Sequence, residues 1–307
     1  MASRRFDLTI RADATPMIGA GHFMRMATLS LAWRREGLGG VQLSGEITLP
    51  FAAARAAEAK LPVYAELPGD GAGGVLVVDH YDQGVREACA ARRDYALRVL
   101  VDDVGGSVPA GIDVVWNPNA YGMSGRYIDF TGPVLTGAGH VPVRPDLPKW
   151  RGGDPGTVAV TIGGGEVPPV VRDAFKSLTN HLPGLAWLAQ GSWALNGWVP
   201  VDAARPWDDM IRSGRLITGA GVTMWEAAAV GIPVVVLTLA PNQAGGAAWA
   251  RAQGAPTVNA IEQGNSERLA RDLGEALRRA RPLTCVTDGS AQVSRALAAL
   301  AAKAGRG

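Results

Sequence analysis

Residues 19–25 read Gly-Ala-Gly-His-Phe-Met-Arg and follow a short apolar run with the character of a first strand. Glycines at such a strand-to-helix turn let the backbone bend tightly and approach a ligand closely. The helix that follows aims unpaired N–H groups at the same spot and favours negative charge there. His22 falls on the first turn, and imidazole is the side chain whose ordinary titration lies nearest neutrality. Together these residues suit proton transfer beside a phosphate. A glycine turn with a helix-capping histidine is the plainer reading of the same segment.

A second histidine competes for the base. His80 lies in Asp79-His80-Tyr81-Asp82 after the apolar run Val75–Val78. The plainer reading has Asp79 and His80 tying the loop down by hydrogen bonds. Asp102-Asp103 follows Val99–Val101. Adjacent strand residues point to opposite faces, so this pair suits loop hydrogen bonding plus one substrate contact better than a shared ion. His140 has a weaker case, and His181 reads as the C-terminal residue of a helix ahead of Leu182-Pro183. The sequence has no HExxH, no paired-histidine spacing and no Asp-x-Asp strand tip, so neither metal nor cofactor is expected.

The second half carries Gly219-Ala-Gly221-Val-Thr-Met-Trp-Glu226, then Gly231-Ile-Pro233. Backbone N–H groups of Val222–Met224 can cradle a pyrophosphate. Glu226, about one turn into the helix, can accept both hydroxyls of a ribose or can merely favour the helix dipole. The residues alone leave both open. Gly163-Gly164-Gly165 is a further glycine tip, and more often such a run is only a turn. Asn117-Pro-Asn119-Ala-Tyr121 and Pro241-Asn242-Gln243 are polar tips of the same kind.

These tips need strands beneath them. Short β-branched runs alternate with longer amphipathic ones, which argues for parallel sheets with crossover helices. In the first half the pattern predicts strands at 7–11, 41–47, 74–79, 98–102 and 113–117, and helices at 22–36, 50–59 and 83–93. In the second half it predicts strands at 157–162, 185–189, 215–218 and 234–239. Helices are expected there at 168–180, 223–230, 243–253, 265–280 and 290–302. Residues 142–156 are dense in Pro and Gly and read as a linker. In open parallel sheets, ligands bind beyond the carboxyl ends of the strands, where all these tips lie.

The bulk numbers fit. A chain of 307 residues suits two domains of about 150. A net charge of +2 argues against nucleic acid or an acidic membrane as partner. Cys89 and Cys285 have no partner spacing, which fits a reducing cytoplasm without disulfides or zinc. No apolar run approaches the ~20 residues of a membrane span, and no apolar signal core follows the basic N-terminus. A cytoplasmic protein is expected. Nine tryptophans against five phenylalanines have no functional account beyond packing and ring stacking.

Two resemblances sharpen the expectation. Residues 219–233 resemble the nucleotide-sugar-binding region of GT-B-type enzymes such as the lipid II-forming GlcNAc transferases, in which a glycine turn holds phosphate and a helix glutamate holds ribose. More narrowly, an ordered series is similar to the UDP-2,4-diacetamido-2,4,6-trideoxy-β-L-altropyranose hydrolases of pseudaminic acid biosynthesis. The series is Gly19–Arg25, Val78–Tyr81, Val101–Asp103, Asn117–Tyr121, Ile162–Gly164, Trp225-Glu226-Ala and Asn242-Gln243, spanning about residues 7–255.

The resemblance implies an α/β, GT-B-like fold of two Rossmann-like domains with parallel sheets facing across a cleft. Residues 1–145 would hold the sugar site and base, and residues 155–307 the nucleotide. It implies metal-independent hydrolysis of a UDP-sugar at the anomeric carbon with inversion, by a monomer acting on a small nucleotide sugar. His22 would be the base and Tyr81 would position water or sugar. Substrate contacts would come from Gly21, Arg25, Asn119, Tyr121, Gly163, Gly164, Gly221, Val222, Thr223, Glu226, Asn242 and Gln243. The competing readings are a GT-B glycosyltransferase, a hydrolysing 2-epimerase and a non-catalytic nucleotide-sugar binder. Release of free sugar without an acceptor separates the first from a hydrolase.

Overall fold

A computed structural model describes residues 5–70, 73–122, 127, 129–163, 167–190, 193–202, 205–284 and 288–305. The chain divides into two compact units, residues 1–145 with 286–307, and residues 146–285.

The first unit is built on β1 (Leu8–Ala12), α1 (Gly21–Arg35), β2 (Val41–Ser44), α2 (Pro50–Glu58), β3 (Val63–Tyr64), β4 (Val75–Asp79), α3 (Gln83–Ala90), β5 (Leu97–Val101), β6 (Val114–Trp116) and β7 (Val134–Leu135). The strands form one parallel sheet in the order β3-β2-β1-β4-β5-β6-β7. β4, Val-Leu-Val-Val-Asp, is buried along its whole length, as expected of a parallel strand covered on both faces. The chain runs outward from β1 in one direction and from β4 in the other. The β1/β4 boundary is therefore the switch point where such sheets open a crevice beyond their carboxyl ends. Ala12 pairs with Asp79 at that boundary.

The second unit holds β8 (Asp154–Thr161), α4 (Pro169–His181), β9 (Ala186–Ala189), β10 (Val199–Pro200), α5 (Pro206–Met210), β11 (Ser213–Gly219), α6 (Val222–Val230), β12 (Pro233–Thr238), α7 (Ala244–Ala252), β13 (Thr257–Asn259), α8 (Ser266–Arg278) and β14 (Arg281–Pro282). Its sheet runs β10-β9-β8-β11-β12-β13, all parallel, with β14 antiparallel on the start of β12. The switch point here is β8/β11. Trp187, Trp193, Trp198 and Phe175 stack on one another in this core, with ring centroids 5.1–5.7 Å apart. Five of the nine tryptophans are thus accounted for by ring packing: these three and the pair Trp225–Trp249, 4.8 Å apart.

The sequence reading differs from the structure in three ways. The linker is shorter, because β8 already begins at Asp154. The short strands β3, β7, β10, β13 and β14 and the single-turn helix α5 have too few residues to show a period. Finally, the last helix, α9 (Gly289–Ala304), belongs to the first unit, so the second does not extend to residue 307. Val293, Leu297 and Ala301 of α9, one turn apart, are fully buried in the core that holds Trp33, Leu8 and Ile10. Covering α1 in this way explains why α1 buries ten of its residues instead of one stripe.

Candidate functional site

At the β1/β4 switch point, α1 begins at Gly21 and carries His22 on its first turn. Gly19 before it has φ +79°, a left-handed conformation that suits glycine. His22 is only 4% exposed. Its Nδ1 lies 2.5 Å from Oδ1 of Asp79, the last residue of β4. The same Nδ1 lies 3.0 Å from Nη2 of Arg25, so both anchors of the ring sit on Nδ1 and Nε2 is the nitrogen left open for proton transfer. Among the described residues, no hydrogen bond to Nε2 is present. The Tyr81 ring packs edge-on against the imidazole, with centroids 4.5 Å apart.

Arg25, one turn along α1, grips the other side of Asp79. Its Nε is 2.5 Å from Oδ2 and its Nη2 is 2.6 Å from Oδ1. Nη1 donates to Asp103 at 2.8 Å, and the Tyr81 hydroxyl donates to the same carboxylate at 3.1 Å. Burial by itself would push the Asp79 carboxyl up, but the charge and hydrogen bonds of Arg25, with the His22 contact, outweigh it and hold Asp79 below its ordinary value. Partial burial and the Asp103 carboxylate push the Tyr81 phenol up to about 12. Arg25, expected among the substrate contacts, is thus spent largely on two carboxylates. The sequence reading named Asp79 only as a loop tie and missed it as the partner of His22. The signal available was topological, since the helix that follows β1 starts beside the residue that ends β4 at a switch point.

His80 is closed on both ring nitrogens. Nε2 faces Asp13 Oδ2 at 2.9 Å, and Nδ1 accepts the Asp82 N–H at 3.0 Å. Asp13 is further held by Arg11 and the Glu46 N–H. This is the loop-tying role, and it leaves no nitrogen to act as a base. Asp102 accepts the Gly105 N–H at 2.7 Å and the Tyr127 hydroxyl at 3.0 Å, so it frames the loop while Asp103 faces Arg25. Asn119 donates its side-chain amide to Asn117 Oδ1 at 3.1 Å and lies at 3.5 Å from the Asp103 carbonyl. Tyr121 sits partly exposed in the turn that follows.

In the second unit the β11 tip leads through Gly219 and Ala220 to Gly221, which precedes α6. Space beside Gly221 is open, with no atom within 4 Å of where a Cβ would stand. Val222 and Thr223 are half-buried at the first turn. The Met224 N–H is already used, donating to the Gly221 carbonyl at 3.0 Å, so the cradle narrows to the N–H groups before it. Gly163, beyond β8, has φ +98°; Gly164, expected with it, lies outside the described residues. Glu226 is buried, and its Oε2 accepts the indole N–H of Trp207 at 2.8 Å. Gln243 turns its carbonyl oxygen to the Leu239 N–H at 2.8 Å, which closes the β12 tip, and Asn242 beside it is exposed. Sequence reasoning did not single out Trp207.

Among the described residues no group of three or more His, Cys, Asp or Glu is placed to hold a metal ion, and no helix is long and apolar enough to cross a membrane.

The fold is GT-B: two parallel-sheet α/β units of seven strands each. Among solved structures, the chain is similar to the glycotransferase of kitacinnamycin, with TM-score 0.56 at 14% identity over 99% of this chain and 98% of that one. It is similar to a putative UDP-N-acetylglucosamine 2-epimerase from Listeria monocytogenes, with TM-score 0.57 at 13% identity over 99% and 98%. It is also similar to the spinosyn rhamnosyltransferase SpnG in complex with thymidine diphosphate, with TM-score 0.57 at 16% identity over 97% and 96%. At these identities the likeness is one of fold. No protein-family model and no curated protein matches the chain.

Proposed function

We propose that the protein hydrolyses a nucleotide sugar, UDP-2,4-diacetamido-2,4,6-trideoxy-β-L-altrose or a related UDP-sugar, at the anomeric carbon. His22 Nε2 takes a proton from water as the water oxygen bonds to C1. The C1–O bond to the diphosphate breaks, and UDP leaves with the electron pair. Attack opposite the leaving group inverts C1. Asp79 holds the imidazole in the tautomer that the step needs and stabilises the imidazolium formed. The first-turn N–H groups of α6 offset charge growing on the diphosphate, and Glu226 accepts from the ribose.

The observation that carries this reading is the His22–Asp79 contact, which leaves Nε2 as the unpartnered basic nitrogen on a side chain only 5% exposed. The test incubates the protein with UDP-sugars and no acceptor. Free UDP and free sugar in equal amounts support hydrolysis, and NMR of the nascent sugar reports the anomer formed first.

Transfer to an acceptor hydroxyl is the second reading. It is favoured by the glycosyltransferases among the solved structures that share the fold. The same His22 would then deprotonate the acceptor. Turnover that appears only when an alcohol acceptor is added would select it.

A further inference from the structure

The second unit contains a buried polar contact that the proposed chemistry does not use. Trp207, on α5, is 1% exposed, and its indole is a donor with no acceptor capacity. A buried N–H needs a partner, and leaving it without one carries a penalty. That partner is Glu226 Oε2 on α6, 2.8 Å away. Glu226 is itself 6% exposed. A carboxylate has about four acceptor positions, and the indole takes one of them. The bond also fixes the terminal torsion of Glu226, which is otherwise broad.

We propose that Trp207 is a positioning residue for ribose recognition: its indole N–H locks the Glu226 carboxylate in the orientation that accepts both hydroxyls of a nucleoside diphosphate. This rests on the reading of Glu226 as the ribose acceptor. Trp207 itself touches no ligand. Its contribution is to remove the ordering cost that a freely rotating carboxylate would incur on binding.

The test measures, by calorimetry on the full chain, affinities for UDP and for 2′,3′-dideoxy-UDP. The wild type is expected to prefer UDP by roughly tenfold or more, the range for buried hydrogen bonds to a charged group. Trp207→Phe keeps an aromatic ring, a smaller one, and removes the N–H. It is expected to lower UDP affinity about five- to tenfold while leaving dideoxy-UDP within about twofold, so that the preference collapses. Equal loss for both ligands, or no loss for either, overturns the inference, because a merely structural bond would not distinguish them. Glu226→Gln separates the two ideas. If it leaves the UDP preference intact, or if the wild type has no preference, the ribose reading fails. If it abolishes the preference while Trp207→Phe does not, only the positioning role fails. Should Trp207→Phe not fold, the indole N–H resonance of Trp207 in the wild type reads the same bond. It is expected to move on adding UDP and to stay in place with the dideoxy analogue, and equal movement with both overturns the proposal.

Discussion

Asp79 Oδ1 and His22 Nδ1 are 2.5 Å apart, and the two residues come from different elements, the end of β4 and the start of α1. The contact makes His22 and His80 unlike in kind. One imidazole has a single anchored nitrogen; the other is engaged at both.

Replacing His22 by Ala or Asn is therefore expected to lower turnover by about two to four orders of magnitude, the usual worth of a general base. UDP affinity should stay within about twofold, since the helix N–H groups remain. His80→Asn is expected to affect melting temperature more than turnover. Steady-state kinetics and calorimetry on the two variants check this, and near-normal turnover in the His22 variant together with its loss in the His80 variant would reverse the assignment.

Asp79→Asn breaks a fully buried charge cluster and leaves Arg25 with Asp103 as its charged partner. The expected cost is about 3–5 kcal/mol at neutral pH, together with loss of activity. The sign of the pH dependence follows from the direction of the shift. The Asp79 carboxyl sits below its ordinary value of 3.8 in the folded protein. Its contribution is complete above that value and disappears as pH falls through the lower, folded one. Melting curves of wild type and variant should differ as much at pH 5 as at neutral pH and begin to draw together only as pH falls below about 4.

Tyr81 separates a ring contact from a hydroxyl contact. Tyr81→Phe keeps the edge-on packing against His22 and removes the donor to Asp103, so a loss of about tenfold or less is expected. Tyr81→Ala removes both and should cost more. Because the phenol is pushed up to about 12, phenolate absorbance titrated to pH 10 should show Tyr81 still protonated, which a difference titration against Tyr81→Phe measures.

Gly289 tests the return of α9 to the first unit. A Cβ there would stand 2.1 Å from the Val141 carbonyl oxygen and 2.8 Å from its nitrogen, so backbone would have to move. Gly289→Ala is expected to destabilise by about 1–3 kcal/mol. Gly264→Ala, with nothing within 4 Å of its Cβ, should lie within about 0.5 kcal/mol of wild type. Urea denaturation of both variants decides it.

The alternation of β-branched runs and longer amphipathic segments was enough to read the parallel α/β halves, because each strand and each crossover helix writes its own period over a few residues. The glycine turn at 19–21, His22 on a first turn and Glu226 about one turn into its helix were legible for the same local reason. What only the tertiary structure decided is which distant residues meet. Sheet order brings the β4 end beside the start of α1, so Asp79 reaches His22 and Arg25 closes on two carboxylates. Packing puts Trp207 against Glu226, and burial of Val293, Leu297 and Ala301 sends α9 back to the first unit. A hydrophobic stripe says that a helix must be covered, but burial is non-directional, and the shape of the surface that receives the stripe exists only once the chain has folded.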